Sequence, residues 1–277
     1  MRLRDLVGQQ GISSFTADDF KFVTSKISAD PGRLILVGGQ AIAVWGILFD
    51  VPSPLGEHQT LTADADWLGN KLDAKWLCDR LGGPADVDLQ FAGDADSTPS
   101  SALAFLRRGK RLLMMDFLRA IVGPDTKEIQ KLAVEVQLHE ASFLVMHPLL
   151  CLESRFANLK EIPAKRGGNG PLQATWMINI TRAFLLAQVR DGMDRRQVAK
   201  AIRRVAELAE YKLGKYCLLH FQLNALEAIT DEAIAYAGDG FKVIEWPYIA
   251  QRIARKQARW RAHHERMLLR TSARHPA

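Results

Sequence analysis

The spacing of apolar and polar positions changes along the chain. In the first half, short apolar runs alternate with helical stretches. Asp18 to Ser28 reads as a helix that begins near Thr16 or Ala17 and is stopped by Pro31-Gly32. Arg33 to Val37 is a short continuous apolar run that suits a buried strand. Gly38-Gly39 reads as a tight turn, and Gln40 to Leu48 as a helix with Ala41, Val44, Trp45 and Leu48 at helical spacing. Phe49 to Thr60 holds two prolines and a glycine and is a loop. Leu61 to Leu68 alternates, with Thr62, Asp64 and Asp66 on one side and Leu61, Ala63, Ala65 and Trp67 on the other, which predicts a strand.

Leu72 to Leu81 predicts a second helix, closed by Gly82-Gly83-Pro84. Val87 to Phe91 reads as a strand, Gly93 to Ser101 as a small-residue loop, and Arg111 to Leu118 as a strand. Ile129 to Leu138 and Ala141 to Val145 read as further strands. From Leu149 onward the helical period takes over: Leu149 to Leu159, a Gly-rich turn at Lys165 to Pro171, then stretches near 172–190, 194–212, 214–227, 229–237 and 246–270. The fold class predicted is α/β, a small mixed sheet followed by a C-terminal α-helical domain. The expected division is 1–146 and 147–277.

Composition sharpens this picture by exclusion. The apolar fraction of 48% and charged fraction of 25% match the roughly 45–50% and about 25% of globular chains, which excludes wholesale disorder and fibrous repeats. The longest apolar stretches, Leu34 to Val37 and Ala41 to Phe49 interrupted by Gly46, fall far short of the ~18 residues of a membrane span. Met1 to Phe15 has no apolar core and no small-residue cleavage site, so a cytoplasmic location is the expectation. Cys78, Cys151 and Cys217 are few, odd in number and widely spaced, and read as buried free thiols.

Charge is unevenly placed. Trp246 to Ala277 holds eight Lys/Arg and only Glu265 as an acid, so this segment is +7 within a chain of net charge +6. Arg252, Arg255, Lys256, Arg259 and Arg266 recur at helical spacing with Trp260 among them. Such a face suits a phosphate backbone; the alternative is the solvated side of a terminal helix.

Three segments carry the chemistry: Leu36-Val37-Gly38-Gly39-Gln40-Ala41, then Thr62-Ala63-Asp64-Ala65-Asp66-Trp67, then Met114-Met115-Asp116-Phe117. Glycines at a strand-to-helix turn let backbone approach an anion closely, and the following helix start is a natural phosphate site. Asp64 and Asp66, two apart on a strand, share a face. Asp116 can join them from a neighbouring strand. Hard carboxylate oxygens suit Mg²⁺ held together with substrate phosphates. Asp86-Val87-Asp88 has the same spacing without a Gly-Gly helix before it and reads as structural or solvent-facing. Asp94 to Thr98 lacks the glycine and glutamate of a calcium loop. Gly167-Gly168-Asn169-Gly170 lacks the Lys-Ser/Thr of a phosphate-binding loop. Trp45 and Trp67 are assigned to the core.

These segments, in this order, resemble the nucleotidyltransferase superfamily with its polymerase-β-like fold. The text Val-Gly-Gly-Gln-Ala-Ile-Ala-Val-Trp-Gly followed by Thr-x-Asp-x-Asp is most similar to the bacterial abortive-infection and minimal nucleotidyltransferase branch, over about residues 33 to 160. The resemblance implies that Gly38, Gly39 and Gln40 bind nucleotide. It implies that Asp64, Asp66 and Asp116 are catalytic and bind Mg²⁺ or Mn²⁺, and that an NTP is substrate. Arg155 falls near the position where that branch often has a lysine, and is added as a nucleotide-binding candidate. The implied reaction moves an NMP from an NTP to an acceptor hydroxyl. RNA (tRNA) and protein are implied acceptors, with RNA reached through the basic C-terminal helix and an antitoxin protein as a further partner. The alternatives are a small-molecule acceptor such as an aminoglycoside, or an inactive binding module.

Overall fold

The computed structural model describes residues 11–54, 56, 64–93, 96 and 98–274. The chain divides into two compact units, Met1–Cys151 and Leu152–Ala277.

The first unit is α/β. In chain order its elements are α1 (Ala17–Ile27), β1 (Ile35–Val37), α2 (Gly38–Leu48), β2 (Asp64–Leu68), α3 (Lys71–Arg80), β3 (Val87–Phe91), β4 (Ser100–Arg108), β5 (Arg111–Leu118), α4 (Thr126–Leu132), β6 (Val134–Leu138) and β7 (Ala141–Val145), and it closes on the start of α5 (Pro148–Glu161). The strands form one seven-stranded sheet in the order β3-β4-β5-β2-β1-β7-β6. Strands β2 and β5 run parallel, as do β1 and β7, and the other neighbours are antiparallel. The sheet is therefore mixed, as expected, but larger than the sequence implied.

Period-two alternation decides which face becomes core. In-register partners share a face, so Leu36, Ala65, Trp67, Met115, Phe117, Ala102 and Ala104 stand together, and each is completely buried. The opposite face carries Asp64, Asp66 and Asp116. Local caps set the helix ends. Thr16 and Asp19 form a reciprocal box at the start of α1. Asn70 caps α3 by accepting from the amides of Leu72 and Asp73.

Three local expectations are corrected. Gly38 and Gly39 are the first helical residues of α2 rather than a turn before it. Residues 100–108, of which Ser100 and Ser101 read as loop and the rest carry no assignment, form the nine-residue strand β4. The segment Ser-Ser-Ala-Leu-Ala-Phe-Leu is buried on both sides, so it shows no alternation to read. The strand expected from Ile129 to Leu138 is helix α4 followed by β6, because Asp125 accepts from the amides of Lys127 and Glu128 and nucleates a turn. The strand expected to start at Leu61 is described from Asp64; Leu61, Thr62 and Ala63 lie outside the described residues.

The second unit is helical, with the rest of α5 followed by α6 (Gly170–Arg190), α7 (Arg195–Glu210), α8 (Lys212–Phe221), α9 (Asp231–Tyr236) and α10 (Trp246–Arg274). A π-turn, Phe241–Glu245, leads into α10. Helix α7 buries Val198, Ala199, Ile202, Val205, Ala206 and Ala209, the i, i+3, i+4 pattern of an inward stripe. Glu210, almost fully buried, accepts from Arg252 and Lys256 at 2.7 Å each and ties α7 to α10. All three cysteines are buried and none is in a disulfide. Burial pushes the Cys78 and Cys217 thiols up to about 12, as expected for inert core thiols. No helix among the described residues is long and apolar enough to cross a membrane.

Candidate active site

Three central strands assemble the acidic group. Strand β2 stands between β1 and β5, with Val37 opposite Asp66 and Asp66 beside Asp116. Asp64 is one step along the same face, beside Met114. The two-residue spacing in β2 and the in-register parallel pairing with β5 thus bring all three carboxylates to one sheet face.

Helix α2 starts where β1 ends, one residue from Asp66's partner. Gly38 has φ +69°, and a Cβ built there would stand 1.9 Å from Asp66 Oδ2. Only glycine lets the carboxylate rest against the helix start. The N-cap residue Val37 offers no side-chain hydrogen bond to the first turn. Gln40, almost fully buried, donates from Nε2 to the Asp64 carbonyl at 3.0 Å, pinning the first turn of α2 to β2. Its Oε1 is buried with no hydrogen-bond partner among the described residues. At the far end of α2, Trp45 Nε1 donates to the Met146 carbonyl at 2.8 Å. Trp45 and Trp67 are both core residues, as expected.

Asp116 has the most perturbed environment. Ser100 Oγ donates to its Oδ2 at 2.9 Å, while Oδ1 is buried without a hydrogen-bond partner among the described residues. Around it on the same face, Leu103, Phe105 and Met114 form an apolar cluster with Ala92, capped by Ile12 and Leu112. Burial pushes the Asp116 carboxyl up to about 6; the Ser100 hydrogen bond opposes this and the Asp64 charge adds to it. Ser100 is present because of a bulge. The register of β4 against β5 shifts between Ser100 and Ala102, which sets Ser100 opposite Leu118 on the face of Asp116. Ser101 turns away, donating to the carbonyls of Gly69 and Phe117. Sequence reasoning missed Ser100 because it missed β4, and a serine in a Ser-Ser-Ala run carries no distinguishing signal.

The sequence-derived residues fall into two groups. Gly38, Gly39, Gln40, Asp64, Asp66 and Asp116 meet in the first unit. Arg155 belongs to the second, on α5, where it is buried and donates from Nη1 to Gln173 Oε1 at 3.1 Å. Asp88 lies on β3 and accepts from Gln90 Nε2. Asp86 sits before that strand against Gly82. Asp94 lies outside the described residues.

No three His, Cys, Asp or Glu side chains among the described residues form a closed metal-binding group. Mg²⁺ commonly takes one or two carboxylates and completes its shell with water and substrate phosphate. Hard oxygen donors on one face, with a buried and unpartnered Asp116 Oδ1 among them, fit that mode.

No protein-family model matches the chain, and no curated protein matches it. Among solved structures it is similar to an antigenic nucleotidyltransferase-like protein from Paracoccidioides brasiliensis, at 15% identity and TM-score 0.39, over 60% of this chain and 78% of that one. It is also similar to a nucleotidyltransferase candidate from H. pylori, at 14% identity and TM-score 0.35, over 87% of this chain and 93% of that one. JHP933 from Helicobacter pylori is similar at 14% identity and TM-score 0.35, over 90% and 94%.

Proposed function

We propose that the protein is a metal-dependent nucleotidyltransferase that moves an NMP from an NTP to an acceptor hydroxyl. The observation that carries this reading is the placing of Asp66 beside Asp116, with Asp64 on the same face, against the glycine start of α2. The oxygen of the acceptor hydroxyl attacks the α-phosphorus, the bond to the bridging oxygen breaks, and pyrophosphate leaves. Mg²⁺ or Mn²⁺, when bound, polarises the phosphoryl oxygens and makes the hydroxyl more acidic.

The chain's own residues position and accept. Asp64 and Asp66 would hold the metal with the NTP phosphates. Gly38 and Gly39 admit phosphate to the N-terminus of α2, where backbone N–H groups and the helix dipole favour an anion. Gln40 fixes that turn to β2. Asp116, raised to about 6, is tuned toward neutral pH as the group that takes the hydroxyl proton. Ser100 keeps one of its oxygens engaged, and the other is buried without a hydrogen-bond partner among the described residues. No side chain serves as a nucleophile. The acceptor class that the basic α10 favours is RNA, a tRNA end among them.

Calorimetry of NTP binding with and without Mg²⁺ tests the reading, comparing the wild type with Asp64→Ala/Asp66→Ala. Mg²⁺-dependent binding that disappears in a folded double variant is the expected result. A folded wild type that binds no NTP overturns it.

A further inference from the structure

Two sets of cations stand out on α10, and Arg261 belongs to neither. Arg252 and Lys256 are used internally, both bonded to the buried Glu210. Arg255, Arg259, Arg266 and Arg270 are exposed, and no carboxylate among the described residues forms an ion pair with them. At 3.6 residues per turn these four fall within about 60° of one another around the helix and span about 22 Å of its length. The inward face of the same helix is Ile249, Ile253 and Gln257, well away from this stripe. Arg259 and Arg266 each lay Nε on the carbonyl one turn back, which holds their guanidinium groups along the stripe. Tyr248 continues the stripe one turn before Arg252. It is 64% exposed, and Arg252 sits over its ring.

We infer that this outward stripe of α10, Tyr248 with Arg255, Arg259, Arg266 and Arg270, is a docking strip for the phosphate backbone of a single-stranded nucleic acid. Four like charges in a row repel one another, and a polyanion of matching length relieves that repulsion. Guanidinium groups suit phosphate oxygens in particular. An exposed aromatic ring in line with them offers a base a stacking surface. A membrane surface is the competing occupant: Met267, Leu268 and Leu269 are exposed near the end of the strip, whereas Ala258, Ala262 and His263, beside Arg255 and Arg259, give no bulky apolar edge to insert. Contacts of this kind carry affinity without reading sequence. The inference does not rest on the nucleotidyltransfer reading, because binding at α10 needs neither NTP nor metal.

Fluorescence anisotropy with a labelled 20-nucleotide single-stranded RNA, without NTP or divalent metal, tests it. The wild type is compared with the quadruple variant Arg255→Gln/Arg259→Gln/Arg266→Gln/Arg270→Gln. A charge-matched control carries Lys21→Gln/Lys110→Gln/Lys127→Gln/Lys131→Gln in the first unit. At about 0.7 counterions per single-strand phosphate contact, the quadruple variant is expected to lose about 3 from the slope of log affinity against log salt. The wild type should therefore weaken about 50-fold more than the variant between 50 and 200 mM salt. The control should keep the wild-type slope, and Tyr248→Ala should weaken binding with the slope unchanged. Equal losses in the control and the quadruple variant overturn the inference, as does a wild type that ignores RNA or binds anionic phospholipid vesicles instead. Repeating the titration with Asp64→Ala/Asp66→Ala separates the two readings. Unchanged RNA binding there is expected, and loss of RNA binding in that variant places the docking surface elsewhere.

Discussion

Replacing Asp116 by Asn should stabilise the folded chain at neutral and alkaline pH. The carboxyl lies among Leu103, Phe105 and Met114, with one oxygen held by Ser100 and the other buried without a partner among the described residues. Burial, opposed by Ser100 and reinforced by Asp64, moves its pKa from 3.8 to about 6. A carboxyl whose folded pKa lies above its unfolded value favours the folded state most when neutral. Stability is therefore full below 3.8 and falls as pH rises toward 6, because the unfolded chain ionises first. A displacement of this size corresponds to at most about 3 kcal/mol above pH 6. Asn keeps the shape and can still accept from Ser100, but carries no charge. Thermal melts in EDTA from pH 4 to pH 8 should show the two proteins nearly equal at pH 4. The variant should then melt higher by up to about 6–12 °C at pH 8. Equal melting at pH 8, or a difference independent of pH, would refute the argument that burial dominates this site. The same substitution should abolish nucleotide transfer, so stability and activity should move in opposite directions.

Other perturbations probe the frame around the carboxylates and the helical unit. Gly38→Ala puts a methyl group where Asp66 Oδ2 stands and forces a φ of +69° on an alanine, so it should lower stability by about 2 kcal/mol or more. Urea denaturation would read this directly, and an unchanged midpoint would mean that Asp66 does not rest on the helix start. Glu210→Gln leaves Arg252 and Lys256 without their shared carboxylate and should cost about 1–3 kcal/mol by the same assay. Because burial opposes the Glu210 charge while Lys256 and Arg252 more than offset it, its pKa is lowered. The gap between wild type and Glu210→Gln should therefore close as pH falls through the carboxylate range, and a gap that persists at low pH would contradict this.

The elements legible in the sequence were those whose two faces differ. Strand β2 could be read because its polar and apolar positions alternate, and α7 because its alanines and valines fall on one stripe. Strand β4 could not, since its interior is apolar on both sides and its start is two serines that also suit a loop. Helix α4 was missed for a different reason. Its seven residues are too few to establish a period, and the Asp125 cap outweighs the β-like run that follows. At the site, the three carboxylates and the glycines were legible as residue types in order. Their meeting was not, because it depends on β2 and β5 being parallel and in register, a property of the whole sheet.

That register has an energetic consequence. A row of aspartates on an isolated strand is solvated, and its charges separate easily. Aligning Asp66 with Asp116 sets two aspartates on one face of neighbouring strands, Asp64 adds its charge at Asp116, and the apolar cluster beside Asp116 removes much of the screening water. The sheet thus holds like charges in an arrangement that a cation would relieve. The cost is offset by the opposite face, where Trp67, Met115 and Phe117 are buried completely. The same β2 residues therefore divide the work by parity. Ala65 and Trp67 supply packing that holds the strand in place, and Asp64 and Asp66 are carried on its other face. In α10 the division recurs in helical form. Arg252 and Lys256 close on Glu210 to anchor the helix, and Arg255, Arg259, Arg266 and Arg270 stand outward together. In both places a buried set of side chains fixes a set of like charge, and the proposed ligands, a divalent cation for one and a phosphate chain for the other, carry the opposite sign.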